Sequence, residues 1–229
     1  MTAFIFDIDG TIIDSMPSHN RSWEVFLARH GRAFDDRDFF HRTAGRTGSE
    51  LMRELFGPIS DTRARELVEE KEIVYREIFG PMFRQVAGFT AFARAAKAAG
   101  IALGCATAGD AGNIAFALHH LGMDGFFAAV AGGHEVAQGK PAPELFLLAA
   151  SRMNVDPDDC VVFEDAPLGI EGARRAGMLA LALTTSASAQ ELAGPHVIAA
   201  MADEGGADPL DLGALASQQR QQMLRTWTG

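Results

Sequence analysis

The chain has 229 residues, 48% hydrophobic and 22% charged, with a formal net charge of −10. That length carries a buried core in one domain or two small ones, and the acidic balance disfavours nucleic acid, whose phosphates need clustered basic side chains. No apolar run approaches a bilayer span and no basic leader precedes the first apolar segment, so a cytoplasmic protein with no membrane partner is expected.

Ala3 to Phe6 reads as a buried strand, and it runs into Asp7-Ile8-Asp9-Gly10-Thr11. Alternate side chains leave a strand on the same side, so Asp7 and Asp9 are expected together at its carboxyl end, where open α/β sheets bind ligands. Two close carboxylates require a cation, a shared proton, or both. Residues 16 to 83 then carry helical patterns: Trp23, Phe26, Leu27 and His30 at helical spacing, a second helix from Thr47 to Phe56, and a third from Arg63 to Phe79 that stops at Gly80-Pro81. Lys71 lies in that third helix, and its context is that of an ordinary charged helix. From Val86 onward helices and strands alternate: helices over 89–99, 112–121, 142–153 and 167–176, and strands over 101–106, 128–131, 160–163 and 179–183. A last edge strand is expected over 197–200. This alternation implies a parallel sheet with helices on both faces. Residues 202 to 229 read as a peripheral tail ending in a helix. Cys105 and Cys160 fall in or beside the buried strands and read as small core residues in a reducing compartment.

Three further strand ends carry polar groups. The Ile101–Thr107 strand ends in a hydroxyl. Gly139-Lys140-Pro141 places a lysine in a proline-bracketed loop. The strand over Val161–Phe163 runs into Glu164 and Asp165. Together with Asp7-x-Asp9-Gly10-Thr11, these four motifs in this order resemble the haloacid dehalogenase (HAD) superfamily across roughly residues 3 to 185. The subgroup with a helical cap inserted after the first motif is most similar, in particular its sugar-phosphate phosphatases and β-phosphoglucomutases.

The resemblance implies an α/β fold, a doubly wound three-layer parallel sheet of Rossmann-like type. The core would be built from residues 1–15 and 84–229, with residues 16–83 as a helical-bundle cap. It implies a phosphatase acting on a small phosphorylated metabolite, a sugar phosphate being the expected class, in a monomer or weak dimer. Asp7 would be the nucleophile that becomes an aspartyl-phosphate, and Asp9 the general acid and base. Thr107 and the backbone N–H of Ala108 would bind phosphoryl oxygens, and Lys140 would neutralise charge. Mg²⁺ would be held by Asp7, the main-chain carbonyl of Asp9 and Asp165, with Glu164 near a metal water. Gly10 and Thr11 would turn the chain and aim backbone N–H groups at the site. In the linker and cap, His19 stands where β-phosphoglucomutase has a histidine that gates its general acid. Arg46, in Ala44-Gly45-Arg46-Thr47-Gly48-Ser49-Glu50, could bind a distal substrate oxygen or simply flank a helix.

Two departures weigh against a mutase. Ser49 stands nearest the position of the mutase's loop arginine, and Thr107-Ala108-Gly109-Asp110 lacks the Ser-Lys-Asn segment that holds a second phosphate. The intact Asp7-x-Asp9 pair argues against dehalogenation, which needs no second acid. An aspartate-phosphorylated signalling module is a reading from another class, and the inserted cap speaks against it.

Overall fold

The computed structural model describes residues 3–33 and 39–227. In chain order the elements are β1 (Ala3–Phe6), α1 (Met16–Arg29), α2 (Phe39–Thr43), α3 (Gly48–Phe56), α4 (Asp61–Phe79), α5 (Phe89–Ala98), β2 (Ala102–Thr107), α6 (Ala111–His120), β3 (Ala129–Gly132), α7 (Glu144–Met153), β4 (Cys160–Glu164), α8 (Pro167–Arg175), β5 (Leu179–Leu183), β6 (Val197–Met201) and α9 (Pro209–Trp227). The six strands form one sheet in the order β3-β2-β1-β4-β5-β6, every pair parallel. The chain leaves β1 toward β2 and β3, then crosses back to β4, so β1 lies at the switch of direction where such sheets open a crevice.

Alternation along the strands divides the core into two layers. Phe4 and Phe6 of β1, Val161 and Phe163 of β4, and Leu179, Leu181 and Leu183 of β5 face one side. There they pack with Phe89 and Phe92 of α5, Ala117 of α6 and Leu212 of α9. Ala3, Ile5, Val162, Ala180 and Ala182 face the other side and meet Leu145 and Phe146 of α7 and Ile170 of α8. One face is large and aromatic, the other small, which sets how closely each helical layer approaches. The bundle α1–α4 has a core of its own, with Trp23, Phe26, Leu27, Leu51, Met52 and Leu67 buried together. Tyr75 and Phe79, in the last turns of α4, are buried in the sheet's aromatic layer instead. The returning helix is therefore shared between the two cores.

Element ends follow local chemistry. α4 starts at Asp61, two residues before the sequence pattern suggests, because the Ser60 side chain accepts a hydrogen bond from the Arg63 N–H and caps it. α7 starts at Glu144 rather than 142, because Pro141 and Pro143 lack N–H groups and the Ala142 N–H is taken by the Gly139 carbonyl. The short α2 has no counterpart in the sequence pattern.

The segment after residue 201 is not a peripheral tail. Leu212 and Ala216 of α9 are buried in the aromatic layer. The Glu204 N–H donates to the Ala87 carbonyl, and the Glu204 carboxyl is buried, with neither oxygen hydrogen-bonded among the described residues. Burial pushes it up to about 8, with Asp203 adding to the rise. Among the described residues no helix is long and apolar enough to cross a membrane. Both cysteines are buried and free.

Candidate active site

Asp7 follows β1 directly, and its N–H donates to the Phe163 carbonyl of β4, which anchors it between the two central strands. The Lys140 ammonium, 1% exposed, donates to Asp7 Oδ1 and to Glu164 Oε1. The ammonium also lies over the Phe146 ring, its Nζ 5.0 Å from the centroid. Burial alone would lower the lysine's pKa, but the Asp7 and Glu164 charges outweigh it and keep Lys140 protonated. Burial raises Asp7 to about 7; Lys140 opposes the rise, and Glu164 and Asp9 add to it. Asp165, beside Glu164 and Asp7, is pushed well above the carboxylate range by burial and then by those two neighbours. Two carboxyl groups thus share one ammonium, with a third, Asp165, beside them.

Glu164 is turned toward Lys140 and its own backbone. Its Oε2 accepts from the N–H groups of Asp165 and Ala166, at 2.9 and 3.0 Å, while Oε1 takes Lys140. This fixes the lysine, and of the two acids Asp165 is the one that could hold a metal. Asp165 Oδ1 accepts from the Thr11 hydroxyl at 3.3 Å, and Oδ2 is buried without a well-formed hydrogen bond among the described residues.

Gly10 plays a different part from the one its motif suggests. Its N–H donates to the Ile13 carbonyl and that of Thr11 to the Ile8 carbonyl, so the turn itself uses both groups. What the site needs is the missing side chain. With φ at +82°, a Cβ at Gly10 would stand 1.9 Å from Asp165 Oδ2.

Asp9 is held apart from the lysine. Its Oδ1 accepts from the Ser15 hydroxyl at 2.7 Å and the Tyr75 hydroxyl at 3.2 Å, and lies 3.0 Å from His19 Nε2. Burial works to raise its pKa, but His19, Ser15 and Lys71 outweigh it and bring it to about 2. Lys71 is not a solvated charge. It is 2% exposed, its Nζ lies 2.8 Å from His19 Nδ1, and it sits 4.9 Å from the centroid of the Trp23 ring. An i, i+3/i+4 charge pattern on the rest of α4 masks this one inward lysine.

Thr107 ends β2 and is buried; its Oγ1 accepts from the Gly109 N–H at 3.1 Å, which leaves the hydroxyl hydrogen to donate elsewhere. Ala108 and Gly109 line the same cavity as Asp7, Asp9 and Lys140, together with the apolar Trp23 and Leu51. Arg46 lines it too, but its guanidinium donates to Glu54 at 2.6 Å and to the Arg42 carbonyl at 3.4 Å. The loop around it is docked on the lysine loop. The Lys140 N–H donates to the Gly45 carbonyl at 2.8 Å, and the Gly139 N–H to Glu50 Oε2 at 3.1 Å. The same Glu50 oxygen closes the capping box of α3 with Thr47. Sequence reasoning missed Glu50, Tyr75 and Asn113; the Thr47-x-x-Glu50 capping pattern was the one available signal.

The donor chemistry suits Mg²⁺. No three His, Cys, Asp or Glu side chains among the described residues form a metal cage by themselves. Mg²⁺ commonly takes only one or two carboxylates and completes its shell with waters and phosphate oxygens. An excess of buried carboxylate, with Asp165 Oδ2 unengaged, fits that demand.

Residues 1–177 match the family model described as haloacid dehalogenase-like hydrolase. The chain is 31% identical over 194 residues to validoxylamine A 7'-phosphate phosphatase of Streptomyces hygroscopicus subsp. limoneus, covering 85% of this chain and 91% of that one. It is 34% identical over 178 residues to fructose-1-phosphate phosphatase YqaB of Escherichia coli (strain K12), covering 76% and 92%. In structure it resembles a HAD hydrolase, family IA, variant 3, from Entamoeba histolytica. The TM-score is 0.82 at 27% identity, with 95% of this chain and 100% of that one covered.

Proposed function

The chain belongs to the haloacid dehalogenase-like hydrolases, and from that membership we propose that it is a Mg²⁺-dependent phosphatase of a small phosphorylated metabolite, a sugar phosphate by class. In this reading residues 1–15 and 84–229 are the catalytic core and residues 16–83 the cap. The observation that carries the proposal is the buried Asp7–Lys140 pair at the carboxyl end of the central strand. A carboxylate nucleophile is kept beside a permanent cation, at the floor of a cavity roofed by the bundle.

An Asp7 carboxylate oxygen attacks phosphorus, and the bond from phosphorus to the leaving alcohol breaks. Asp9, when protonated, gives its proton to that leaving oxygen. As a carboxylate it then takes a proton from the water that attacks the aspartyl-phosphate, releasing phosphate and restoring Asp7. The three partners on Asp9 Oδ1 suit the second half-reaction, because they favour the carboxylate. Lys140 balances charge on Asp7 and the transferred group, and the Thr107 hydroxyl donates to a phosphoryl oxygen. Asp7, Asp165 and the main-chain carbonyl of Asp9 would hold Mg²⁺, which would supply the charge that lets an anionic nucleophile meet an anionic substrate.

The phosphomutase reading has less support. A bisphosphate intermediate needs a second anion clamp. Arg46 is engaged by Glu54, and Asp110 turns a carboxylate, not a cation, to the start of α6, where it accepts from the Asn113 N–H. The test is phosphate release from hexose, pentose, triose and glycolate phosphates, with Mg²⁺ and with chelator, beside Asp7→Asn. Metal-dependent release that the variant loses is expected; conversion of sugar phosphates to isomers without release would overturn the phosphatase in favour of the mutase.

A further inference from the structure

The bundle also meets the sheet layer at a second seam, between α4 and α6. Asn113, in the first turn of α6, is 5% exposed. Its Nδ2 donates to Glu72 Oε2 of α4 at 2.7 Å, and its Oδ1 accepts from an Arg76 guanidinium nitrogen at 3.0 Å. The partners fix the amide's orientation, because arginine only donates and a carboxylate only accepts. One core side chain therefore grips α4 by both of its polar atoms.

Glu72 leads inward. Both its oxygens accept from the Lys71 ammonium, at 3.1 and 3.2 Å, and that ammonium also reaches His19 Nδ1. An ammonium has no lone pair to offer, so His19 Nδ1 must accept and Nε2–H must be the donor to Asp9. A continuous row of hydrogen bonds, Asn113–Glu72–Lys71–His19–Asp9, crosses from core to bundle at Asn113 and returns to the core at Asp9.

We propose that Asn113 is a positioning residue for Asp9. Its grip on Glu72 and Arg76 holds α4 against α6, and through Lys71 it selects the His19 tautomer that orients the Asp9 carboxylate. Proton transfer is thereby tied to docking of the bundle by the contact of Asn113 with α4. The kinetic part of this inference rests on the phosphatase reading; the tautomer part does not.

The experiment is a donor–acceptor exchange. Asn113→Asp sets a carboxylate against Glu72. Combining it with Glu72→Gln restores a donor facing an acceptor, and the new side-chain amide on α4 keeps an oxygen for Lys71. Close members of one buried network couple strongly, so Asn113→Asp is expected to lower kcat about tenfold with KM changed less than about threefold. The double variant should recover to within about threefold of the parent. Nitrogen-15 spectra of the His19 ring, assigned with His19→Gln, should show the Nε2–H form in the parent, its loss in Asn113→Asp and its return in the double variant. An unchanged kcat and tautomer in a folded Asn113→Asp protein, or a double variant no better than the worse single one, would overturn the proposal. If Asn113→Asp does not fold, Asn113→Ser, which removes both bonds without adding charge, is held to the same kcat and tautomer criteria. Should the parent release no phosphate from any substrate, the phosphatase reading fails and the ring spectra alone decide this one.

Discussion

His19 and Tyr75 lie face to face, their ring centroids 3.8 Å apart and their planes within 9°, and both reach the same oxygen of Asp9. His19 comes from the first helix of the insertion and Tyr75 from its last. The two ends of the bundle therefore converge on one side chain of the core.

Tyr75→Phe keeps the ring stack and deletes one of the three partners of Asp9 Oδ1. A single hydrogen bond of this kind is worth about 0.5–1.5 kcal/mol. The expected result is a kcat lowered roughly two- to twelvefold by the conversion of about 1.4 kcal/mol per decade, with KM and the melting temperature little changed. Steady-state kinetics beside a thermal melt check it; a kcat equal to the parent's would show that Ser15 and His19 suffice.

Removal of metal tests the carboxylate excess around Asp165. A ligand at a hundred times its Kd stabilises the fold by about 2.7 kcal/mol, so Mg²⁺ should raise the parent's melting temperature and chelator should reverse it. Asp165→Asn should abolish the Mg²⁺ shift and the activity together. A Mg²⁺ shift that survives in the variant would place the ion elsewhere.

Gly10→Ala should cost both stability and activity. A Cβ there meets Asp165 Oδ2 at 1.9 Å and forces a left-handed backbone on a residue that disfavours it. Strain of this class costs on the order of 1–3 kcal/mol. A melt and the kcat of the purified variant decide it. Parent-like values in both would mean the turn relaxes without cost to Asp165.

Glu204, which does not line the active-site cavity, makes stability depend on pH. Its carboxyl is raised from 4.5 to about 8 in the folded chain, so between those values the folded state binds more protons than the unfolded one. Stability is then full below about pH 4.5 and falls as pH rises toward 8, by at most about 1.4 kcal/mol per pH unit. Glu204→Gln should flatten that slope. Denaturant melts at pH 5, 6.5 and 8 measure it, and an identical slope in the variant would reject Glu204 as the cause.

The fold was legible because its signals are periodic. Ala3–Phe6 and Leu179–Leu183 are short apolar runs bounded by acids or turns, and they became strands with the bounds their patterns imply. Asp7, Thr107 and Asp165 were legible because each ends a strand or directly follows one, and Lys140 because prolines bracket its loop. The rest depends on packing between distant segments. Lys71 looks like its charged neighbours along α4; only the position of α1 decides that it points inward to His19. Arg46 looks like a free cation until Glu54, eight residues away, takes it. Gly10 looks like a source of backbone N–H groups, and a tight turn consumed them. The α9 helix is polar on average, so the few apolar residues that seat it gave no clear period.

The place of β1 at the middle of the sheet has a consequence for synthesis on the ribosome. Its two neighbours begin at Ala102 and Cys160. At 5–20 residues per second, the Ala3–Phe6 segment waits roughly 5 to 30 seconds for them. The bundle helices between have a core of their own and can begin to pack in that interval, while Tyr75 and Phe79 at the end of α4 still await the sheet. The growing chain thus carries a partly packed helical unit beside an unpaired strand of Ala, Phe, Ile and Phe, and that strand is the segment a nascent-chain chaperone would be expected to shelter.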